Sequence, residues 1–528
     1  MNKQFEGLLD RYFEAVLEDH PVLATVVGLK AGEGKLDSAT PEFEARQQKR
    51  RLATFAALEN ISPRDLTNEQ HLDRLALRST LLREVEDFER GRAGLEPDGP
   101  ARVFDIVLHE LIRGDDEPKR AAANLRSLLD QAPRFLGEAI RLVKKPEQVW
   151  LKIMRQTTDG SDALFAAAQT FLQRVAPQAK DKGRVAAARK AVKNYRDKAL
   201  ERDKAPPASF AIGPEQMQRR VRDQLGLDYT LAEVEALALG ETRRIGTLLK
   251  KAAGGRDPVK VIDEARAKWR PEKPLLDLYR AKTREVAGRF RQARAVTFPK
   301  GDELEVRPVP DFMRPLFPTA AYSSPGAFEK RQRGIFWVND LSLIKDSSAE
   351  KLKEQQQHFG LSLTCAHEAY PGHHLQFVTA NQHPRKWRRL FAHAVFYEGW
   401  TLWCEQMMVD LKIDNSPWLR IQQLHDALWR AHRILVDLRL QTRRYTYDQA
   451  VNHMQKNLGF TRARAEADVN WYTGQPSVPM SYWLGRLENG RLRDRLMRRR
   501  GWTLQKFNDW LLSFGTIPQS WIEKYGLD

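Results

Sequence analysis

At 528 residues the chain exceeds the length at which one hydrophobic core keeps growing, so two or three packed regions are expected. With 42% hydrophobic and 30% charged residues it is globular rather than disordered, and no apolar run approaches the roughly 18–20 residues that span a bilayer. The net charge of +18 is scattered along amphipathic patterns that also carry acids, and no base-reading or basic-aromatic motif accompanies it, so neither a specific nucleic acid nor a membrane is expected as a partner.

The opening MNKQFEGLLDRYFEAVLEDH spaces its apolar residues for a helix and interleaves acids. It has no apolar h-region and no small-residue cleavage site, and the two cysteines, Cys365 and Cys404, suit a reducing compartment; a cytoplasmic location is expected. A proline-bearing passage, ERDKAPPASFAIGPEQ (201–216), reads as a connector. In TLAEVEALALGETRRIGTLLKKAAGG (230–255), Thr230 and Glu233 form a capping box and a Gly-Gly pair stops the helix. Residues 303–340 are rich in proline and contain two strand-like runs, ELEV and GIFWVN. Three further long helices are expected over 349–369, 394–411 and 417–444. The reading is a mainly α protein with a small β-sheet. It divides into an N-terminal helical region (1–205), a helical region ending in the proline-rich β segment (206–345) and a helical region bearing the chemistry (346–528).

That chemistry centres on LTCAHEAYPGHHLQ (363–376). A zinc hydrolase needs three neutral or anionic ligands, an open position and a carboxylate able to take a proton from water. On a regular helix the two histidines stand at i and i+4, but here position 371 is proline and the next histidines, His373 and His374, stand at i+6 and i+7 from His367. On an undistorted helix i+6 points about 120° away, and i+7 lies about 10 Å along the axis. Pro371-Gly372 can bulge out two residues, so that His373 takes the place of i+4. In AVFYEGWTLWCEQMMVDL (394–411), Glu398 sits among aromatic residues, where a carboxylate is costly unless paired or bound to a cation. Glu405, two turns further on the same face, is the candidate partner behind a ligand. Cys365 and Cys404 read as small core residues.

HEAYPGHHLQ followed by YEGWTLWCEQ resembles the bacterial domain-of-unknown-function family 885, grouped with the glutamate-ligand zinc metallopeptidases, the gluzincins. HPVLATVVGL (20–29), FPTAAYSSPGAFEKRQRGIFWVND, LWRAHRILVD (428–437) and VNWYTGQPSVPMSYWLGRL (469–487) extend the likeness almost end to end. The resemblance implies one Zn2+ ion held by His367, one of the paired histidines (His373 preferred, His374 the alternative) and Glu398, with Glu368 as general base and helices surrounding a deep metal-containing cleft. It makes Tyr472 and Tyr482 candidates for stabilising an oxyanion. Asn339, at the end of the GIFWVN strand, would help align a substrate backbone by β-augmentation, and Arg430 or Arg433 would receive a substrate carboxylate. The expected activity is hydrolysis of short peptides, as an oligopeptidase or a carboxypeptidase-like enzyme. The rivals are an inactive metal-binding relative, a hydrolase of non-peptide amides, and a basic helical module for acidic partners. The chain departs from the family pattern at Pro476-Ser477-Val478 (usually Pro-Gly-Gln), at Trp471 (usually Arg), and at Arg439 and Gln441 (usually Gly and His).

Overall fold

The computed structural model describes residues 1–114, 116–310, 314 and 319–527. Helices predominate among them, with one three-stranded sheet, so the mainly α reading holds. The chain divides into two compact units, Met1–Gln70 with Leu77–Phe210, and His71–Ala76 with Ala211–Asp528. The residues on both sides of 345 belong to the second unit. No helix among the described residues is long and apolar enough to cross a membrane.

In the first unit the Asn2 side chain caps the helix Lys3–Asp19 by accepting from the Phe5 amide. Helix Pro118–Leu142 buries Ala121, Leu125, Leu129, Ala132, Phe135 and Ala139, a stripe at three- and four-residue steps, and packs against Asp181–Glu201, which buries Val185, Ala188, Val192 and Tyr195.

In the second unit α1 (Leu231–Ala252) starts at the expected capping box, where Thr230 accepts from the Glu233 amide and Glu233 from the Thr230 amide at 2.8 Å. Gly254 and Gly255, with φ of +65° and +80°, follow its end. The expected helix over 349–369 is broken. Helix Ser348–Gln356 ends, Gly360 turns through φ +80°, and α2 (Leu361–Thr364) runs into a single π turn, Cys365–Ala369. A Cβ on Gly360 would lie 1.8 Å from the Gln422 side chain, so a tertiary neighbour dictates the break. After a cis Tyr370–Pro371 bond α3 (His373–Asn381) begins, followed by α4 (Ala394–Asp410), α5 (Leu419–Gln441), α6 (Arg462–Gly474), α7 (Val478–Arg500) and α8 (Leu504–Leu512). Val234, Ala238 and Ile245 of α1 share a core with Ala431, Ile434 and Leu438 of α5.

The two expected strands are β1 (Asp302–Pro308) and β3 (Gln332–Val338), joined by a third, β2 (Ala320–Ser323). The order is β1-β3-β2, with β1 parallel and β2 antiparallel to β3. This corrects one expectation. The GIFWVN strand is central, its hydrogen-bonding edges already occupied, so it cannot align a substrate by β-augmentation. Its burial on both faces explains its unbroken apolar run. Residues 311–313 and 315–318 of the proline-rich segment lie outside the described residues.

Candidate metal centre

His367 lies on the π turn, His373 opens α3 and Glu398 lies on the first turns of α4. The spacing between the histidines is therefore resolved by ending one helix and starting another rather than by bulging a continuous one. Gly372 is what lets the chain fold back so closely, since a Cβ there would meet the His367 carbonyl oxygen at 1.8 Å. Trp400 of α4 ties the turn down by donating its indole N–H to the Pro371 carbonyl at 2.8 Å.

Three donor atoms, one from each of His367, His373 and Glu398, lie within 4.8 Å of one another. Glu398 Oε2 stands 3.6 Å from Nε2 of His367 and 3.6 Å from Nε2 of His373, and the two imidazole rings meet edge to face at 4.9 Å. Ligands about 2.1 Å from a tetrahedral zinc stand about 3.4 Å apart, so two of the three spacings are already near that value. All three residues are buried, and both Glu398 Oε2 and His373 Nδ1 lack a hydrogen-bond partner. A buried carboxylate oxygen without a partner is costly, and a cation relieves that cost. The nitrogen-nitrogen-oxygen donor set suits zinc.

Behind the centre, Glu405 Oε1 meets His367 Nδ1 at 2.8 Å, which leaves Nε2 facing Glu398. Arg430 Nη2 stands 3.8 Å from the same Glu405 oxygen. Burial favours a neutral His367, but Glu398 and Glu405 outweigh it and push its pKa up to about 10. Burial pushes His373 down to about 4. Burial would raise the Glu398 carboxyl, but His373, His367 and Tyr482 hold it below the usual range. Glu368, beside His367, is pushed up to about 7 by burial, with Glu398 and Glu405 adding to the effect and His367 opposing it.

The other candidates fall in distinct places. His374 turns toward the sheet, with Nδ1 3.0 Å from the Tyr322 hydroxyl and Nε2 3.7 Å from Asp302 Oδ2, so the described contacts join His373, not His374, to the set. Tyr482 faces Glu398. Tyr472 does not join the centre by any hydrogen bond among the described residues: its hydroxyl accepts from Arg433 Nε at 3.1 Å and donates to Asp468 Oδ2 at 3.1 Å. Arg433 stacks over the rings of Trp429 at 4.1 Å and Tyr482 at 4.7 Å, and Arg430 stands 3.5 Å from Asp426. Both guanidiniums thus already have acidic or aromatic neighbours. Asn339 donates its amide to the Arg314 carbonyl at 2.9 Å. Cys365 and Cys404 are fully buried free thiols.

Four contributing residues were not singled out in the sequence. Tyr322 of β2 bonds His374 and stacks on His373 with ring centroids 6.4 Å apart. Gly334 of β3 admits His374, whose Nδ1 would lie 2.5 Å from a Cβ there. Gly399 and Gly485 let α4 and α7 touch, since a Cβ on Gly399 would come within 2.7 Å of Gly485 Cα. That contact brings Tyr482 of α7 to Glu398 of α4. The four-residue β2 carried too short a pattern to be read, and a glycine within a helical run does not announce its neighbour.

A family model described as "Bacterial protein of unknown function (DUF885)" matches residues 21–525. No curated protein matches. Two solved structures share the fold. One is described as a putative lipoprotein of unknown function from Shewanella oneidensis, 18% identical, with a TM-score of 0.79 over 99% of this chain and 100% of that one. The other, described as a putative lipoprotein from Colwellia psychrerythraea, is 18% identical, with a TM-score of 0.75 over 99% of this chain and 98% of that one.

Proposed function

The chain belongs to the DUF885 family, and from the geometry of its histidine–glutamate centre we propose that it is a zinc-dependent metallopeptidase of the glutamate-ligand type, acting on short peptides in a cleft between helices of the second unit. The reading rests on one observation: three buried donors from three separate elements converge, and one of them, Glu398 Oε2, has no hydrogen-bond partner. His367, His373 and Glu398 would hold the ion. Bound there, zinc would supply a Lewis acid that polarises a carbonyl and makes water a stronger acid.

The remaining steps belong to the chain's own residues. Glu405 fixes the His367 ring by its Nδ1. Glu368 takes the proton of the attacking water and returns it to the leaving amine. Tyr482, facing Glu398, is the phenol available to the carbonyl oxygen as it gains charge. The substrate backbone aligns along the outer edge of β2, beside Tyr322 and His373. Because Arg430 and Arg433 already have acidic neighbours, an oligopeptidase is favoured over an enzyme that grips a terminal carboxylate.

The test is zinc content together with hydrolysis of a mixed peptide library, wild type against Glu368→Gln. The expected outcome is one zinc per chain in both proteins and a loss of turnover of at least about a thousandfold in the variant. Zinc bound with turnover unchanged in Glu368→Gln would remove the assigned base. Zinc bound without turnover in either protein would leave an inactive metal-binding relative.

A further inference from the structure

His374 is the member of the histidine pair that stands outside the donor set, and it is fully buried. Its surroundings come from the sheet. Nε2 faces Asp302 Oδ2 of β1 at 3.7 Å, and Nδ1 meets the Tyr322 hydroxyl of β2 at 3.0 Å. With the carboxylate facing Nε2, the ring proton belongs there and Nδ1 accepts from the phenol. The central strand makes room for this bond. A Cβ on Gly334 of β3 would lie 2.5 Å from His374 Nδ1 and 2.6 Å from the Tyr322 hydroxyl oxygen. One imidazole thus reaches all three strands. Asp302 is itself held, accepting from the Tyr370 hydroxyl at 2.5 Å on the turn that leads into α3.

The consequence falls on β2. This strand has four residues and pairs with β3 alone, and Trp337 of β3 donates its indole N–H to the Ser323 hydroxyl at 2.9 Å. Those contacts fix β2 within the sheet, and so short an edge strand has few backbone bonds to hold it. The Tyr322–His374 bond fixes it to α3, one residue from His373, on which the Tyr322 ring also stacks.

We propose that His374 is a positioning residue: acting through Tyr322, it sets where the outer edge of β2 stands relative to the candidate metal centre, and so places the peptide backbone against His367, His373 and Glu398. This rests on the peptidase reading above and adds that the second histidine of the pair serves substrate alignment rather than the metal.

Three variants test it. Asparagine puts its carbonyl oxygen where Nδ1 stood, and glutamine puts its amide where Nε2 stood. His374→Asn therefore keeps an acceptor for Tyr322, His374→Gln removes it, and Tyr322→Phe removes the donor. Each variant is read by zinc content, by steady-state cleavage of one short peptide, and by amide hydrogen exchange over Ala320–Ser323. All should hold one zinc per chain. His374→Gln and Tyr322→Phe should raise KM about tenfold with kcat within about twofold, and should speed exchange in β2 about tenfold. His374→Asn should stay within about twofold of the wild type in KM and in exchange, which a role in packing alone would not spare. Loss of zinc in either His374 variant, equal effects of asparagine and glutamine, or KM or exchange unchanged in His374→Gln would each overturn the proposal. A zinc-loaded wild type that cleaves no peptide would instead overturn the peptidase reading, and exchange over β2 would still decide whether His374 holds the strand.

Discussion

Glu405 touches no substrate in the proposed scheme, yet it sets which nitrogen of His367 faces the centre. Its Oε1 holds Nδ1 at 2.8 Å and leaves Nε2 toward Glu398. Glu405→Gln keeps an acceptor but removes the charge, and should lower zinc affinity about tenfold; Glu405→Ala should lower it about a hundredfold. Competition against a chelator of known affinity measures both, and affinity unchanged in Glu405→Ala would mean that other contacts orient the ring. At this scale the sequence carried much of the centre. The seven-residue step from Glu398 to Glu405 places both on one helical face, and both acids are conspicuous among aromatic residues. The choice between His373 and His374 was harder. Adjacent residues at the start of a helix point to different sides, and Tyr322 and Asp302, which engage His374, come from strands far away in the chain.

At the scale of elements, the crossing of α4 on α7 deserves a direct test. A Cβ on Gly485 would stand 1.9 Å from the Val395 carbonyl oxygen, and neither backbone can yield without parting the helices. Gly485→Ala should therefore destabilise the protein by about 2–3 kcal/mol or more in urea unfolding, and should weaken zinc binding because Glu398 adjoins the crossing. Gly246→Ala in α1, where nothing lies within 4 Å of the added carbon, should be neutral or stabilising by up to about 1 kcal/mol. Equal behaviour of the two variants would show that the crossing is not tight. Helix existence was legible here, because capping residues and three-to-four spacing are local properties. The break at Gly360, the π turn and the central position of β3 were not. Each depends on which neighbour arrives: Gln422 at the glycine, the Gly372 fold-back against the last turn, and β1 and β2 on the two edges of β3.

For the whole molecule, stability and pH are linked through buried acids such as Glu110 in the first unit. It is 5% exposed and accepts from Asn124 at 3.3 Å. Burial pushes its carboxyl from the ordinary 4.5 up to about 7, with Glu33 adding to the effect and Asn124 and Arg120 opposing it. The folded state therefore keeps a proton that the unfolded state releases above pH 4.5. This stabilisation is full below 4.5 and is lost as pH rises toward 7. Relative to Glu110→Gln, the wild type should lose up to about 3 kcal/mol between pH 4.5 and 7.5. Unfolding in urea at pH 5 and pH 8 measures the difference, and parallel behaviour of the two proteins would show that the carboxyl titrates normally.

Read alone, the sequence determined the helical class, the Thr230 cap, two of the three strands and the residue types of the candidate histidine–glutamate set, because periodicity, turn chemistry and the misfit of an acid among aromatics are all written locally. Only the tertiary structure decided that His373 rather than His374 joins His367 and Glu398, that β3 is enclosed, and that Tyr482 rather than Tyr472 approaches the centre. Those outcomes turn on which backbones can touch. Part of that is fixed by glycines at close contacts, and for Gly334 with His374 and Gly399 with Gly485 the partners lie dozens of residues apart.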